Sequence, residues 1–206
     1  MQKKNLGLRI GITGGIGAGK STISGIFKVL GIPVYNADER AKHLMNHDLA
    51  LIQQIIEIFG SDLYQNGELN RIKLAKLVFE DSNALERLNQ LVHPAVRRDY
   101  EEWLDQYKNS DYTIKEAALL FESGSYKGLD QTILVYAPLT TRINRVLLRD
   151  KNRSKMDIQN IINKQMDDNH KKKLADFTII NDDTALVIPQ VLKIHQLLLS
   201  QSAEKK

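Results

Sequence analysis

Apolar positions along this chain alternate between two spacings. Residues 8–13 (LRIGIT) form a short apolar run with β character, and 20–30 (KSTISGIFKVL) carry apolar side chains at helical spacing, closed by Gly31. A second short strand is predicted over 33–37, and a helix opens at Asp38. Two further helices are predicted over 49–60 and 71–80, separated by the polar turn YQNGELN, where Asn66-Gly67 marks the reversal. Residues 82–107 are helical with an interruption at His93-Pro94. Proline donates no N–H and disfavours helical geometry just before it, so a break or kink between two helices is expected there. Strands follow over 112–121 and 131–137, with a loop containing Gly124 and Gly128 between them. Then come a helix over 139–149, a very polar helical stretch over 155–174, a strand over 176–181 and a helix over 184–200. The SAEKK tail reads as a frayed end.

Strands that alternate with helices predict an α/β fold of three α/β/α layers, its parallel sheet covered on both faces. Two segments break the alternation. Residues 46–110 are all helical and read as an inserted substrate lobe, although a plain helical flank fits the same pattern. Residues 150–174 are polar and helical and read as a mobile lid. The nucleotide-binding core is then 1–45, 111–149 and 175–206.

Composition narrows the class. Of 206 residues 42% are hydrophobic and 26% charged, enough for one core or a core with inserted lobes. The chain has no cysteine, so disulfide and thiol chemistry are excluded. The N-terminus lacks the apolar stretch of a signal peptide, and no run approaches a membrane span; a soluble, cytoplasmic protein with no membrane partner is expected. The net charge of +4 suggests an anionic partner. Basic residues are not interleaved with aromatics, so an anionic small molecule suits this charge at least as well as nucleic acid, and no nucleic-acid partner is expected.

The chemistry concentrates in Gly14–Ser21, GGIGAGKS, which meets the phosphate-loop pattern G-x-x-x-x-G-K-[ST] at every fixed position, with a strand before it and a helix after it. Such a turn points backbone N–H groups at a polyphosphate. Gly15, Gly17, Ala18, Gly19, Lys20, Ser21 and Thr22 are the candidate ATP-binding set. Lys20 would reach the β- and γ-phosphates, and Ser21 would offer its hydroxyl to Mg²⁺. The dinucleotide fingerprint G-x-G-x-x-G fails, because Lys20 stands where its last glycine belongs. A nucleoside triphosphate site is expected.

Three features bear on the reaction. Asp38 follows the second strand at the sheet edge, where it could take the proton of an attacking hydroxyl or simply cap the helix it begins. Arg142, Arg145 and Arg149 share one helical face, able to neutralise a transferring phosphate or merely to meet solvent. His93 beside Pro94 could hold a substrate or satisfy a freed carbonyl.

Several segments together resemble the dephospho-CoA kinase family: ITGGIGAGKST, GIPVYNADERA, LNQLVHPAVRR, ALLFES, RINRVLLRD and LADFTIIND, spread over nearly the whole chain. The resemblance implies a P-loop NTPase fold with a helical CoA lobe and a lid. It implies transfer of the γ-phosphate of ATP to the ribose 3′-hydroxyl of dephospho-CoA, the last step of coenzyme A synthesis. Asp38 falls on the family's catalytic aspartate, and His93 and Arg97 on its H-P-x-x-R residues around the acceptor. Leu119, Phe121 and Glu122 carry L-L-F-E beside the acceptor, with Glu122 the next candidate base. Arg145 and Arg149 match arginines at the lid, and Asn181 falls near the adenine. Asn36 stands where the family usually has a first aspartate, and Ala118 where it has proline. Within the lid, Arg153 and Lys171 are candidates. Rival readings are another small-molecule kinase, a switch GTPase and a nucleic-acid-binding ATPase; the GTPase needs an N-K-x-D that the chain lacks. A monomer or small homo-oligomer is expected.

Overall fold

The computed structural model describes residues 7–151 and 153–205. The first six residues, part of the N-terminus expected to lack a signal peptide, lie outside the described residues, as do Asn152 in the expected lid and the final Lys206. The order is β1 (Leu8–Thr13), α1 (Lys20–Val29), β2 (Val34–Asn36), α2 (Ala37–His47), α3 (Leu49–Phe59), β3 (Tyr64–Gln65), β4 (Glu68–Leu69), α4 (Arg71–Glu80) and α5 (Ser82–Gln106). It continues with β5 (Tyr112–Glu116), β6 (Gln131–Tyr136), α6 (Leu139–Arg149), α7 (Lys155–Asn163), α8 (Asp168–Leu174), β7 (Phe177–Ile180) and α9 (Val187–Lys205). The chain forms two compact units, one built from the residues up to Asn36 and from Tyr107 onward, the other from Ala37–Gln106.

The first unit is a five-stranded sheet in the order β2-β5-β1-β6-β7, every neighbouring pair parallel. β1 lies in the middle, with Ile10 opposite Ile114 on one side and Gln131 on the other. Its residues Ile10 and Ile12 are fully buried and pack with Ile23 and Phe27 of α1 and Val191, Ile194 and Leu198 of α9. Burial on both faces fits β6, where Thr132, Ile133, Leu134 and Val135 are buried in succession. The carboxyl end of β1 therefore delivers residue 14 to the sheet's central edge, where ligands of open α/β sheets bind.

Four expectations about elements are corrected. β5 stops at Glu116 rather than running to Phe121. The chain leaves the sheet at Ala117, and the turns that follow are closed by Ser123 N–H to Leu119 O and Gly124 N–H to Phe121 O. Leu120 and Phe121 are buried by this turn, so their hydrophobicity imitates a strand. Residues 155–174 form two helices, because Asp167 caps a new one by accepting the N–H groups of Asn169 and His170. The tail is helical to Lys205: Ser202 Oγ donates to Asp111 O at 2.6 Å and Lys205 pairs with Asp130 at 2.8 Å.

The fourth correction lies in the second unit. α5 is one helix of 25 residues with Pro94 inside it. Pro94 and Gln90, whose carbonyl loses its helical donor, are both exposed, so water can serve that carbonyl. On the opposite side Leu88, Val92 and Ala95 join a core with Leu44, Leu51, Ile55, Leu63, Leu69 and Leu74, which holds the helix together across the proline. The YQNGEL turn is a two-residue hairpin, Asn66 and Gly67 both at positive φ as a type I′ turn requires. Among the described residues, no helix is long and apolar enough to cross a membrane.

Candidate active site

β1 ends at Thr13, and Gly14–Gly19 turn the chain into α1. Gly17 and Gly19 adopt φ of +78° and +93°, a region that side chains strain to enter. Space is missing as well as freedom: a Cβ on Gly15 or Gly17 would strike Arg142, and one on Gly19 would strike the Asn181 amide. The glycines thus let flanking side chains close against the loop. α1 begins with Gly19 as its cap, with no side-chain cap bond and no acidic residue in the first turn. The positive end of its dipole faces the loop, a position that favours an anion. Lys20 Nζ donates to Gly14 O at 3.0 Å, lying back along the loop it would serve.

Ser21 Oγ donates to Glu116 Oε1 at 2.8 Å. Glu116 closes β5, the strand beside β1, and is 4% exposed. Glu116 lies outside the phosphate-loop pattern. Its signal was present, an acid closing the run that precedes the turn, but strand order is needed to put it beside Ser21.

The loop is braced from α6 and from the residue after β7. Asn181 Nδ2 donates to Ala18 O at 2.8 Å. Arg145 reaches Gly17 O at 3.5 Å and Asn181 Oδ1 at 3.4 Å and pairs with Asp183. Arg142 is buried against Gly15 and Gly17, its Nη2 2.7 Å from Asp168 Oδ2. Arg142 and Arg145 are therefore not a solvated face. Arg149 is exposed, its guanidinium bonded to both oxygens of Asp150 at 2.9 and 3.0 Å, and Arg153 joins the same aspartate at 3.3 Å.

The turn after β5 carries Leu119 exposed, Phe121 buried edge-on to Tyr126, and Glu122 bonded to two groups of the 164–174 stretch. Glu122 Oε1 accepts the Met166 N–H at 2.8 Å and lies 2.8 Å from Nζ of the fully buried Lys171. Burial raises the Glu122 carboxyl, but the bonds from Lys171 and Met166 and the Lys171 charge outweigh it and hold the group below the usual carboxylate range.

In the second unit, α2 begins at Ala37, so Asp38 is inside the first turn rather than preceding it. A carboxylate there still meets the positive end of the helix, so both readings of Asp38 stand. His93 and Arg97 are exposed one turn apart on α5, and Arg97 Nε bonds Glu101 at 3.1 Å. Behind them, Arg40 of α2 and Asp99 of α5 pair, with Nε to Oδ2 at 2.9 Å.

Comparison with known proteins settles the kind of kinase. The family model for dephospho-CoA kinase matches residues 8–186. The chain belongs to the dephospho-CoA kinase family. The dephospho-CoA kinase of Porphyromonas gingivalis is 40% identical over 187 residues, covering 91% of this chain and 92% of the relative. That of Coxiella burnetii is 38% identical over 91% of this chain and 95% of the relative. Among solved structures, the dephospho-CoA kinase from Campylobacter jejuni superposes with a TM-score of 0.69 at 25% identity, over 94% of this chain and 98% of that one. A shikimate kinase from Bacteroides thetaiotaomicron shares the P-loop α/β fold, with a TM-score of 0.51 at 15% identity over 93% of this chain and 98% of that one. Family membership makes this chain an ATP-dependent kinase that phosphorylates dephospho-CoA in coenzyme A biosynthesis.

Proposed function

We propose that Gly14–Thr22 hold the triphosphate of ATP and that the γ-phosphate passes to the ribose 3′-hydroxyl of dephospho-CoA. The supporting observation is the start of α1: an uncapped helix N-terminus with Lys20 on one side and the Ser21–Glu116 pair on the other. Phosphoryl transfer is catalysed mainly by positioning and charge neutralisation, which these groups supply. Lys20 neutralises the β- and γ-phosphates. Asn181 and Arg145 brace the loop from the adenine side, and Arg145 carries positive charge toward the transferring group. Arg149 would exchange Asp150 for phosphate. His93 and Arg97 hold the acceptor nucleotide, Leu119 and Phe121 shape its surroundings, and Asp38 takes the proton of the attacking hydroxyl.

Mg²⁺ fits the donors present. The Ser21 hydroxyl and Glu116 carboxylate are adjacent hard oxygens. Among the described residues no group of three or more His, Cys, Asp or Glu could hold a metal ion by itself, and Mg²⁺ characteristically takes one or two protein oxygens plus phosphates and water. When bound there it would neutralise charge on the β- and γ-phosphates. We place the protein in the cytoplasm as a monomer or small homo-oligomer, without a nucleic-acid partner.

The direct test is ADP release by the purified chain with ATP, Mg²⁺ and dephospho-CoA. Adenosine and AMP as acceptors should react far more slowly, and equal rates would reject the acceptor assignment. Arg145→Ala should lower kcat on the order of 10- to 100-fold, the scale of one electrostatic contact to a transition state. Arg149→Ala should cost less, because Asp150 already holds that guanidinium. Unchanged kinetics in both variants would return these arginines to a structural role. His93→Ala and Arg97→Ala should raise KM for dephospho-CoA and leave KM for ATP within about twofold, since each loses one exposed polar contact. A rise confined to ATP would contradict their assignment.

A further inference from the structure

The short connection between α7 and α8 is fastened on two sides. Gln165 Oε1 accepts the Ile16 N–H of the phosphate loop at 2.9 Å. The next residue, Met166, donates its N–H to Glu122. Glu122 is itself the counter-charge of Lys171, which is completely buried. An ionised carboxylate fixed in this way is a rigid post. Asp168 adds another tether through Arg142, which lies against Gly15 and Gly17. One dipeptide, Gln165-Met166, therefore joins the ATP-phosphate loop to the turn after β5.

The loop has a physical need for this. Residues 14, 15, 17 and 19 are glycines, so its backbone has much freedom to lose before its N–H groups can converge on phosphate. Holding it beforehand removes that cost from the binding step. A bond to the Ile16 N–H fixes one peptide plane between Gly15 and Gly17, the stretch where the loop turns.

We infer that Gln165 is a positioning residue of the ATP site: it orients the phosphate loop through Ile16, and Glu122 orients Gln165 by fixing the adjoining peptide. Glu122 thereby acts on the ATP side of the reaction, through the loop. This rests on the reading of Gly14–Ser21 as the cradle of ATP.

The test compares Gln165→Met, similar in size without an acceptor, and Gln165→Glu, which keeps an oxygen at the same reach. Exchange of the Ile16 amide is measured by NMR in the ligand-free protein, alongside steady-state kinetics. In Gln165→Met the Ile16 amide should exchange about tenfold faster and KM for ATP should rise about five- to tenfold, the scale of one hydrogen bond. KM for dephospho-CoA should stay within about twofold on the same scale. Gln165→Glu should recover most of the amide protection. A Glu122→Gln, Gln165→Met double variant should show an ATP effect smaller than the product of the singles, because both act through one contact. Glu122→Gln leaves Lys171 without its counter-charge, so if that variant does not fold, Gln165→Met decides alone. Unchanged Ile16 exchange in Gln165→Met, or a KM rise confined to dephospho-CoA, would overturn the role. The amide measurement needs no substrate, so it separates this outcome from failure of the kinase reading, which would appear as no ATP turnover in the unaltered enzyme.

Discussion

Lys20→Ala should lower kcat at least about a hundredfold, the loss seen when one preorganised charge on a transition state is removed. Lys20 is the first residue of α1, and its Nζ reaches back to Gly14 O at 3.0 Å. In the proposed complex the ammonium would turn from there to the β- and γ-phosphates. Charge builds on those oxygens as the bond to the γ-phosphorus loosens, so the contact strengthens toward the transition state and its loss falls mainly on kcat. The fold should survive. Lys20 has no part in the core cluster, and alanine is a good residue to begin a helix. The melting temperature should move by no more than a few degrees, as for a partly exposed substitution. A folded Lys20→Ala protein with near-normal turnover would remove the phosphate loop from the reaction.

Some of this site was legible along the chain and some was not, for physical reasons. The glycine spacing of residues 14–19 is a local backbone requirement, so it is written in consecutive residues. Lys20, Ser21, Arg145 and Asn181 could each be named from short patterns, and the structure gathers all four around the loop. Glu116 could not, because its partner Ser21 becomes a neighbour only through the order β5-β1 in the sheet. Gln165 was hidden for the same reason, its partner Ile16 being 149 positions away. The errors in element boundaries share a cause too. Leu120 and Phe121 are apolar because a turn buries them, and α5 crosses Pro94 because its apolar stripe is packed while the proline faces water. Burial supplied by tertiary packing overrides the local preference in both places.

Glu122 shows how packing redistributes roles. On the chain it stands at the end of a segment expected beside the acceptor. In the fold its carboxylate is engaged by Lys171 and by the Met166 N–H, which keep it ionised and oriented. A carboxylate held this firmly in its charged form is a weak proton acceptor, so it makes a poor reserve base.

That leaves Asp38, where the second large effect is expected. α2 begins at Ala37, so Asp38 lies within its first turn, two residues past the carboxyl end of β2. A carboxylate there interacts favourably with the helix N-terminus, worth about 0.3–1 kcal/mol. Asp38→Asn keeps the shape and gives up only that modest term, so the melting temperature should change little. On the proposal that the group acts on the acceptor, affinity for ATP should also be nearly unchanged. What asparagine cannot do is take a proton. As the 3′-hydroxyl attacks, its proton must leave, and without a positioned base it leaves to water. We expect kcat to fall on the order of 10²- to 10⁴-fold, the range for a lost general base. Steady-state kinetics with dephospho-CoA, together with a thermal melt, read both halves of the expectation. Normal turnover in Asp38→Asn would reduce Asp38 to a contributor to helix stability. Glu122, the next candidate, has its charge committed to Lys171.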